Sequence, residues 1–221
     1  MTFMSLIVFV HVLAFVFWLG ADIGVFILGK HAQRPTYSVE TRMSMLSVAM
    51  TIDKFPRVSM VVAFATGFFL AISQGWLILA DWARVLVWLI IVVWVIAMLA
   101  RIRAEQAPHW VEKTETAINY LLLALFVAAI VATVMGHSVV VSTWLFAKLG
   151  LFAVIIVMAL WLEKAFLPAI GGFMELAESG STPALESRIS KAMDITYRSV
   201  LGIYACTLLA ALFGIAKPIL W

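Results

Sequence analysis

The feature that most constrains this chain is its first apolar run, residues 3–29. About 20 apolar residues cross roughly 30 Å of hydrocarbon as a helix, so the run is long enough to span a bilayer. It also carries His11 and Asp22, which lie close to one line on a helix, with Phe15 and Trp18 between them. Ionisable side chains inside a membrane are costly and normally face the interior of a helix bundle. This stripe therefore predicts a functional surface.

The composition extends the same prediction to the whole chain. Its 221 residues are 65% hydrophobic and 12% charged, with a mean hydropathy of +1.10. Soluble domains are about half apolar and a quarter charged. We therefore expect an integral membrane protein that folds as one all-α transmembrane helical bundle over residues 1–221, in contact with the lipid bilayer.

The apolar segments predict about six transmembrane helices. We expect them at residues 3–29, 56–78, 83–100, 117–139, 143–168 and 197–216. Residues 30–54 alternate apolar and polar side chains at helical spacing, and a shorter pattern of this kind recurs at Leu185, Ile189 and Met193. These two patterns predict short amphipathic helices at the membrane interface.

The basic residues predict the orientation of the bundle. Twelve of the 15 Lys and Arg residues fall at the ends of spans or in loops on one side, and Arg84, Lys148 and Lys217 fall on the other. By the positive-inside rule the first side is cytoplasmic, so both termini are expected on the non-cytoplasmic side, in a bacterial inner membrane. The net charge of +3 thus reports topology, and we expect no nucleic-acid partner.

Two histidines are candidate metal ligands. His11 lies in the first span and His137 near the end of the fourth, both in the predicted outer part of the membrane. Imidazole is a common ligand of haem iron and copper, and two helices of a bundle can hold a haem between such residues. The one cysteine, Cys206, excludes a cysteine-based cluster. We expect His11 and His137 to bind haem b, with copper as the alternative; each histidine could instead bond a carbonyl or a neighbouring helix.

Lys148 enters the fifth span near its outer end, close in depth to His137. An ammonium at that depth needs a partner, such as a haem propionate, an anionic substrate or Asp22 through water, unless it extends to the interface. We expect Lys148 to act in catalysis and cofactor binding, and Trp18 to contact the cofactor.

Asp22 lies in the inner half of the first span. A carboxyl group at that depth either relays protons or forms an ion pair with a basic residue from a neighbouring span, such as Arg57, Arg198 or Lys164. We take Asp22 as a second candidate catalytic residue.

Two short motifs resemble a known superfamily. The first span has the pattern H-x6-W-x-G, and the fifth begins with W-L-x-x-K-L; the residues are His11, Trp18 and Gly20, then Trp144, Leu145, Lys148 and Leu149. Together they resemble the membrane proteins that include the HemJ-type protoporphyrinogen oxidases and the CopD copper-resistance domains. The resemblance covers about a quarter of the chain. It implies a haem b ligand at His11 and a lysine required for activity at Lys148, or copper passage if the CopD-type members are the better guide.

These observations define one leading hypothesis and two alternatives. The leading hypothesis is a haem b-binding membrane protein with an oxidoreductase or electron-transfer role, which meets a quinone or a porphyrinogen in the bilayer. The first alternative is a transport protein for copper or another small solute. The second is a cofactor-free accessory subunit of a larger membrane complex, and assembly as a homo-oligomer is compatible with all three.

Overall fold

The computed structural model describes residues 2–104 and 108–218, and these residues form seven α-helices. The helices are α1 (Phe3–Ala32), α2 (Val39–Ile52), α3 (Lys54–Ser73), α4 (Asp81–Arg103), α5 (His109–Val134), α6 (Thr143–Ser179) and α7 (Pro183–Ala216). In this part of the chain the β-structure is limited to one isolated bridge between Leu77 and Val140. The predicted all-α architecture is confirmed.

Six helical stretches in the described residues are long and apolar enough to cross a membrane. They are α1, the tract formed by α2 and α3, and each of α4 to α7. The predicted number of spans is therefore confirmed, and the chain is an integral membrane protein in contact with lipid.

The spanning helices form a closed ring. Each of α3 to α6 packs on the helix that follows it, α1 packs on α3, and α7 returns to α1. Helix α2 contacts α1, α3 and α6 at one end of this ring. We call that end the α2 end, and the opposite end, where α1 begins and α7 finishes, the terminal end.

The predicted fifth span, residues 143–168, covers only part of a longer helix. Helix α6 continues through Pro168 to Ser179, because the residues after the proline are buried against the first turns of α7. Gly172 allows this close packing, since a Cβ atom there would lie 2.6 Å from Cγ1 of Ile189. With 37 residues, α6 is about 55 Å long and extends well beyond a hydrocarbon layer of about 30 Å.

The second predicted amphipathic helix is also not a separate element. Leu185, Ile189 and Met193 lie in the first turns of α7, which starts at Pro183 instead of near residue 197. Thr182 caps this helix, since its side chain accepts a hydrogen bond from the Leu185 backbone N–H at 3.3 Å. The apolar face of the segment packs on α6, which makes it an extension of the last span.

The remaining boundaries shift by one or two turns. Helix α3 ends at Ser73 and α5 at Val134, both before the predicted limits of 78 and 139, because Gly75 and Gly136 adopt positive φ angles of 70° and 90° in the turns that follow. Helices α1 and α4 extend a few residues past the predicted spans of 3–29 and 83–100. Helix α5 begins at His109, about two turns before residue 117.

Arg42 ties the α2 end together. Its side chain is 1% exposed, and Nε donates a hydrogen bond to the Ala32 carbonyl at 2.7 Å. Its two terminal nitrogens donate to the two Glu186 oxygens at 2.7 and 3.0 Å. One guanidinium on α2 thereby joins the end of α1 to the start of α7.

Candidate functional site

A cavity of about 690 Å³ lies in the terminal half of the ring. All six spanning helices contribute to its wall, which is mostly apolar and rich in aromatic side chains. The aromatic members from the middle of the spans are Phe15, Trp18, Phe64, Phe68, Phe126 and Phe152. The ionisable side chains at its wall are His11, Lys148 and Lys217. Two residues that the sequence predicts as one site, His11 and Lys148, thus face the same space.

His11 is held against α3. Its Nδ1 lies 3.0 Å from the Thr66 hydroxyl oxygen, and that hydroxyl donates its own hydrogen to the Val62 carbonyl at 2.6 Å. With the Thr66 hydroxyl donating to a carbonyl, its oxygen accepts from the ring, so we assign the proton to Nδ1 and the lone pair to Nε2. Gly67 makes room for the ring, since a Cβ atom there would lie 3.0 Å from Cε1 of His11.

Lys148 reaches the cavity from the second turn of α6. Its Nζ lies against the backbone of α7, since a Cβ atom added at Gly214 would lie 3.0 Å from this nitrogen. The ion pairs found among the described residues do not include Lys148, although its charge is close enough to act on His11. A charge without a protein counterion in an apolar wall favours an anionic ligand.

Trp18 lies at the bottom of the cavity, towards the α2 end. Its side chain is 9% exposed and stacks on Phe152 of α6, with ring centroids 6.3 Å apart and an interplanar angle of 26°. Ile155 and Ile203 belong to the same buried cluster. The predicted contact of Trp18 with a cofactor is compatible with this position.

The structure does not bring His137 to His11. His137 is an exposed residue of the connection between α5 and α6, and its backbone N–H donates to the Ala132 carbonyl at 3.0 Å. It is not among the residues that line the cavity. The physical reason is the early end of α5, which stops before His137 reaches a helical position. Within residues 2–104 and 108–218, no group of three or more His, Cys, Asp and Glu side chains is placed to hold a metal ion.

Asp22 lies on the other side of Trp18, towards the α2 end, and does not line the cavity. It is close to Tyr204 on α7, and the charges of Asp53 and Arg57 act on it. Arg57 pairs with Asp53 at 2.6 Å, and it lies 3.9 Å from the buried Glu115. The structure thus places Asp22 near one of the arginines proposed from the sequence, within a charged group apart from the cavity.

Glu115 links that group to α4. Arg101 donates from Nε and from a terminal nitrogen to the two Glu115 oxygens, at 2.9 and 2.5 Å. Glu115 is 5% exposed, so this pair is buried between α4 and α5. A sequence reading that treats Arg101 as a cytoplasmic loop charge does not find this pair.

Sequence reasoning also missed Thr66, Gly67 and Gly214, which position the two candidate binding side chains. Threonine and glycine are frequent in transmembrane helices, and none of the three interrupts an apolar run. Gly67 follows Thr66 directly in α3, and only the distances to His11 identify their role.

The fold and the cavity define the class of the protein, an all-α integral membrane bundle with a candidate ligand site in its terminal half. Comparisons of the chain with protein-family models, with curated proteins and with solved structures gave no match.

Proposed function

We propose that this membrane protein binds haem b in the cavity and has an oxidoreductase or electron-transfer role. His11 would hold the haem iron, and Lys148 would pair with a haem carboxylate. One observation carries the proposal: a histidine with an available Nε2 and an ammonium without a protein counterion line the same aromatic cavity.

The state of the His11 imidazole supports its role as a ligand. A histidine that binds metal through one ring nitrogen usually donates a hydrogen bond from the other, which fixes the tautomer and the ring orientation. Nδ1 of His11 makes such a bond to Thr66, at 3.0 Å. Nε2 is then the nitrogen with the lone pair that an iron atom needs.

The set of donor atoms fits haem better than a bare copper ion. The porphyrin supplies four nitrogen ligands, so one imidazole from the protein is sufficient to hold the iron. A copper ion held by protein side chains alone needs several convergent donors, and His11 is the one histidine among the cavity-lining residues.

The shape and charge of the cavity fit the rest of a haem molecule. Ligand sites of 300 to about 1,000 Å³ with apolar walls and a few polar groups are typical for cofactors, and this cavity has about 690 Å³. Phe152 and Trp18 stack on each other at its bottom and form an apolar aromatic part of the wall. Lys148 offers a cation to a carboxylate in a setting of low polarity, where such a pair is strong.

The chain's own residues have separate tasks in this proposal. Bound haem would supply one-electron redox chemistry. His11 would hold it, Lys148 would orient its carboxylate, and the aromatic wall would exclude water. We assign proton transfer to Asp22, which lies beyond Trp18 near the charged groups of the α2 end. A quinone or a porphyrinogen dissolved in the bilayer is the proposed redox partner.

The basic residues support an orientation with the α2 end in the cytoplasm. Lys30, Arg34, Lys54 and Arg103 all lie at or near that end, and the cavity then lies in the non-cytoplasmic half of a bacterial inner membrane. The variants Thr2→Cys and Gly180→Cys test this orientation when intact cells are treated with a membrane-impermeant thiol reagent. Only Thr2→Cys should react from outside the cells.

The visible spectrum of the purified protein tests haem binding. The wild-type protein should show a Soret band that is lost in His11→Ala and retained in His137→Ala, the matched control on the exposed connection. A colourless wild-type protein overturns the proposal, and copper bound to that colourless protein would support the transport alternative.

Asp22→Asn tests the role of Asp22 in proton transfer. This variant should retain the Soret band and slow turnover with a quinol donor. Unchanged turnover would show that Asp22 does not transfer protons.

A further inference from the structure

We propose that the ligand enters the cavity sideways from the bilayer, through a window between α1 and α7 in the terminal half of the ring. The ligand is then an amphiphile dissolved in the membrane, with an apolar body and an acidic group. This inference rests on the proposed function only in treating the cavity as a ligand site.

The contacts between α1 and α7 concentrate towards the α2 end. Phe26 packs edge-on against Tyr197, with ring centroids 5.0 Å apart, and Lys30 Nζ lies 3.7 Å from the centre of the same ring. Gln33 donates a hydrogen bond to Ser190 at 3.0 Å. These contacts join the second half of α1 to the first half of α7.

The terminal halves of the two helices pack on other neighbours. Phe3 of α1 contacts Phe69 of α3 with ring centroids 5.9 Å apart, and His11 bonds Thr66 on the same helix. On α7, Gly214 lies against Lys148 of α6. The two helices that close the ring are thus held on opposite sides of the cavity in this half.

Several side chains both line the cavity and are exposed at the outer surface of the bundle. On α1 they are Val8, Val12 and Val16, which are 45%, 52% and 54% exposed. On α7 Ile215 is 83% exposed, and Ala211 lines the cavity one turn earlier. These residues of α1 and α7 form the two sides of an opening that faces the hydrocarbon layer.

The connections at the terminal end form part of the cavity wall on its aqueous side. The segment after α3 is bonded to the segment before α6, since Ile78 N–H donates to the Val139 carbonyl at 2.9 Å and Val141 N–H donates to the Trp76 carbonyl at 3.0 Å. Trp76 packs edge-on against Trp144, with centroids 4.8 Å apart. These bonded connections obstruct part of the aqueous side, and the exposed apolar rim favours entry through the window.

The charge of the site selects the class of ligand. Lys148 lies inside the cavity without a protein counterion, and Lys217 lies at its wall with Nζ 4.7 Å from the Trp76 ring. An apolar body would cross the window between the valines of α1 and Ile215, and an acidic group would then pair with Lys148. A neutral lipid-soluble molecule gains nothing from that lysine.

Collision measurements on a spin label test the route without any ligand. We would attach a nitroxide at Ala129→Cys, on the α5 wall opposite the window, in a Cys206→Ser background reconstituted into lipid nanodiscs. Oxygen, which concentrates in the bilayer, should relax the label more strongly than a water-soluble nickel chelate. Stronger relaxation by the nickel chelate would show a water-filled entrance and overturn the inference.

A tryptophan at the rim should close the window. Val12→Trp should reduce the oxygen effect on the label, whereas Val93→Trp on α4, at a site 47% exposed and outside the cavity wall, should leave it unchanged. Ala211→Trp offers the same closure from α7 if the first variant folds poorly. An unchanged oxygen effect in both rim variants contradicts the proposed window.

Haem uptake separates this inference from the proposed function. When hemin is added to nanodiscs, Val12→Trp should slow the rise of the Soret band, whereas His11→Ala should abolish the band. An unslowed rise in Val12→Trp refutes the window. The absence of a Soret band in the wild type would refute haem binding. The spin-label measurement would still decide whether the window exists.

Discussion

The two ends of this bundle use buried charge in opposite ways. At the α2 end, Arg42 and Glu186 form a bidentate pair, and Arg101 does the same with Glu115. At the terminal end, Lys148 lines a cavity and takes part in none of the ion pairs of the described chain. Matched charges hold helices together, whereas an unmatched charge costs stability and is retained for a ligand. The comparison supports a structural role for the α2 end and agrees with the proposed ligand site at the terminal end.

The largest effect is expected at Arg42. Arg42→Met should destabilise the protein by about 3–5 kcal/mol, because it leaves Glu186 without its partner and the Ala32 carbonyl without its donor. Thermal unfolding in detergent measures this change. Arg188→Ala is the control, since that residue pairs with Glu175 at an exposed site, where such pairs contribute at most about 1 kcal/mol. Equal effects of the two variants would contradict the structural role of the α2 end.

The next effect is expected at Thr66, and it concerns binding. Thr66→Val removes the acceptor for His11 Nδ1–H and should weaken haem binding by about 10- to 100-fold, as for other partners of metal-binding histidines. Titration of the apoprotein with haem measures the affinity. Thr133→Val is the control, because the Thr133 hydroxyl accepts a hydrogen bond from the Val140 N–H at the terminal end and does not line the cavity. An affinity equal to that of the wild type would show that the bond does not orient the ligand.

A smaller effect, with opposite signs for stability and binding, is expected at Lys148. Lys148→Met removes a charge that has no protein counterion, so the ligand-free protein should be as stable as the wild type or more stable. Haem affinity should fall by about tenfold, which corresponds to one charge-assisted hydrogen bond. Unfolding without haem and haem titration measure the two changes. A clear loss of stability without haem would mean that Lys148 serves the fold.

The smallest effect is a pH dependence at the α2 end. Glu186 lies in the first turn of α7, in the part of that helix beyond the membrane, and its hydrogen bond with Arg42 holds the pKa of the carboxyl below its usual range. The folded pKa is the lower one, so this contribution to stability is complete above the unfolded pKa of about 4.3 and is lost as the pH falls through the folded value. In Glu186→Gln, the free energy of unfolding should depend less on pH in this acidic range than it does in the wild type. An identical dependence would show that the pair is not linked to folding.

Hydropathy was sufficient to predict the number of spans and the all-α class, because a bilayer imposes length and apolarity on every spanning helix. It failed where helices leave the membrane. The first part of α7 is amphipathic because it packs on α6, and the same pattern is typical of a helix on a lipid surface. Arg42 was read as a topology signal, since a sequence does not show that its partner is Glu186 on another helix.

The candidate site was predictable only in part. The spacing of His11 and Lys148 within their spans was enough to place both in one half of the membrane, and they line one cavity. The prediction of His137 as a partner of His11 depended on an α5 helix that continued past it, and the turn at Gly136 moves His137 out of the helix. Thr66 was not predictable, because its role depends on the packing of α1 against α3.

The most direct test of this account is replacement of the His11 side chain by free imidazole. His11→Gly should purify folded and without a Soret band, and imidazole added with haem should restore the band, because Thr66 and the aromatic wall remain in place. A Soret band in His11→Gly equal to that of the wild type, without imidazole, would contradict the assignment of His11 as the ligand.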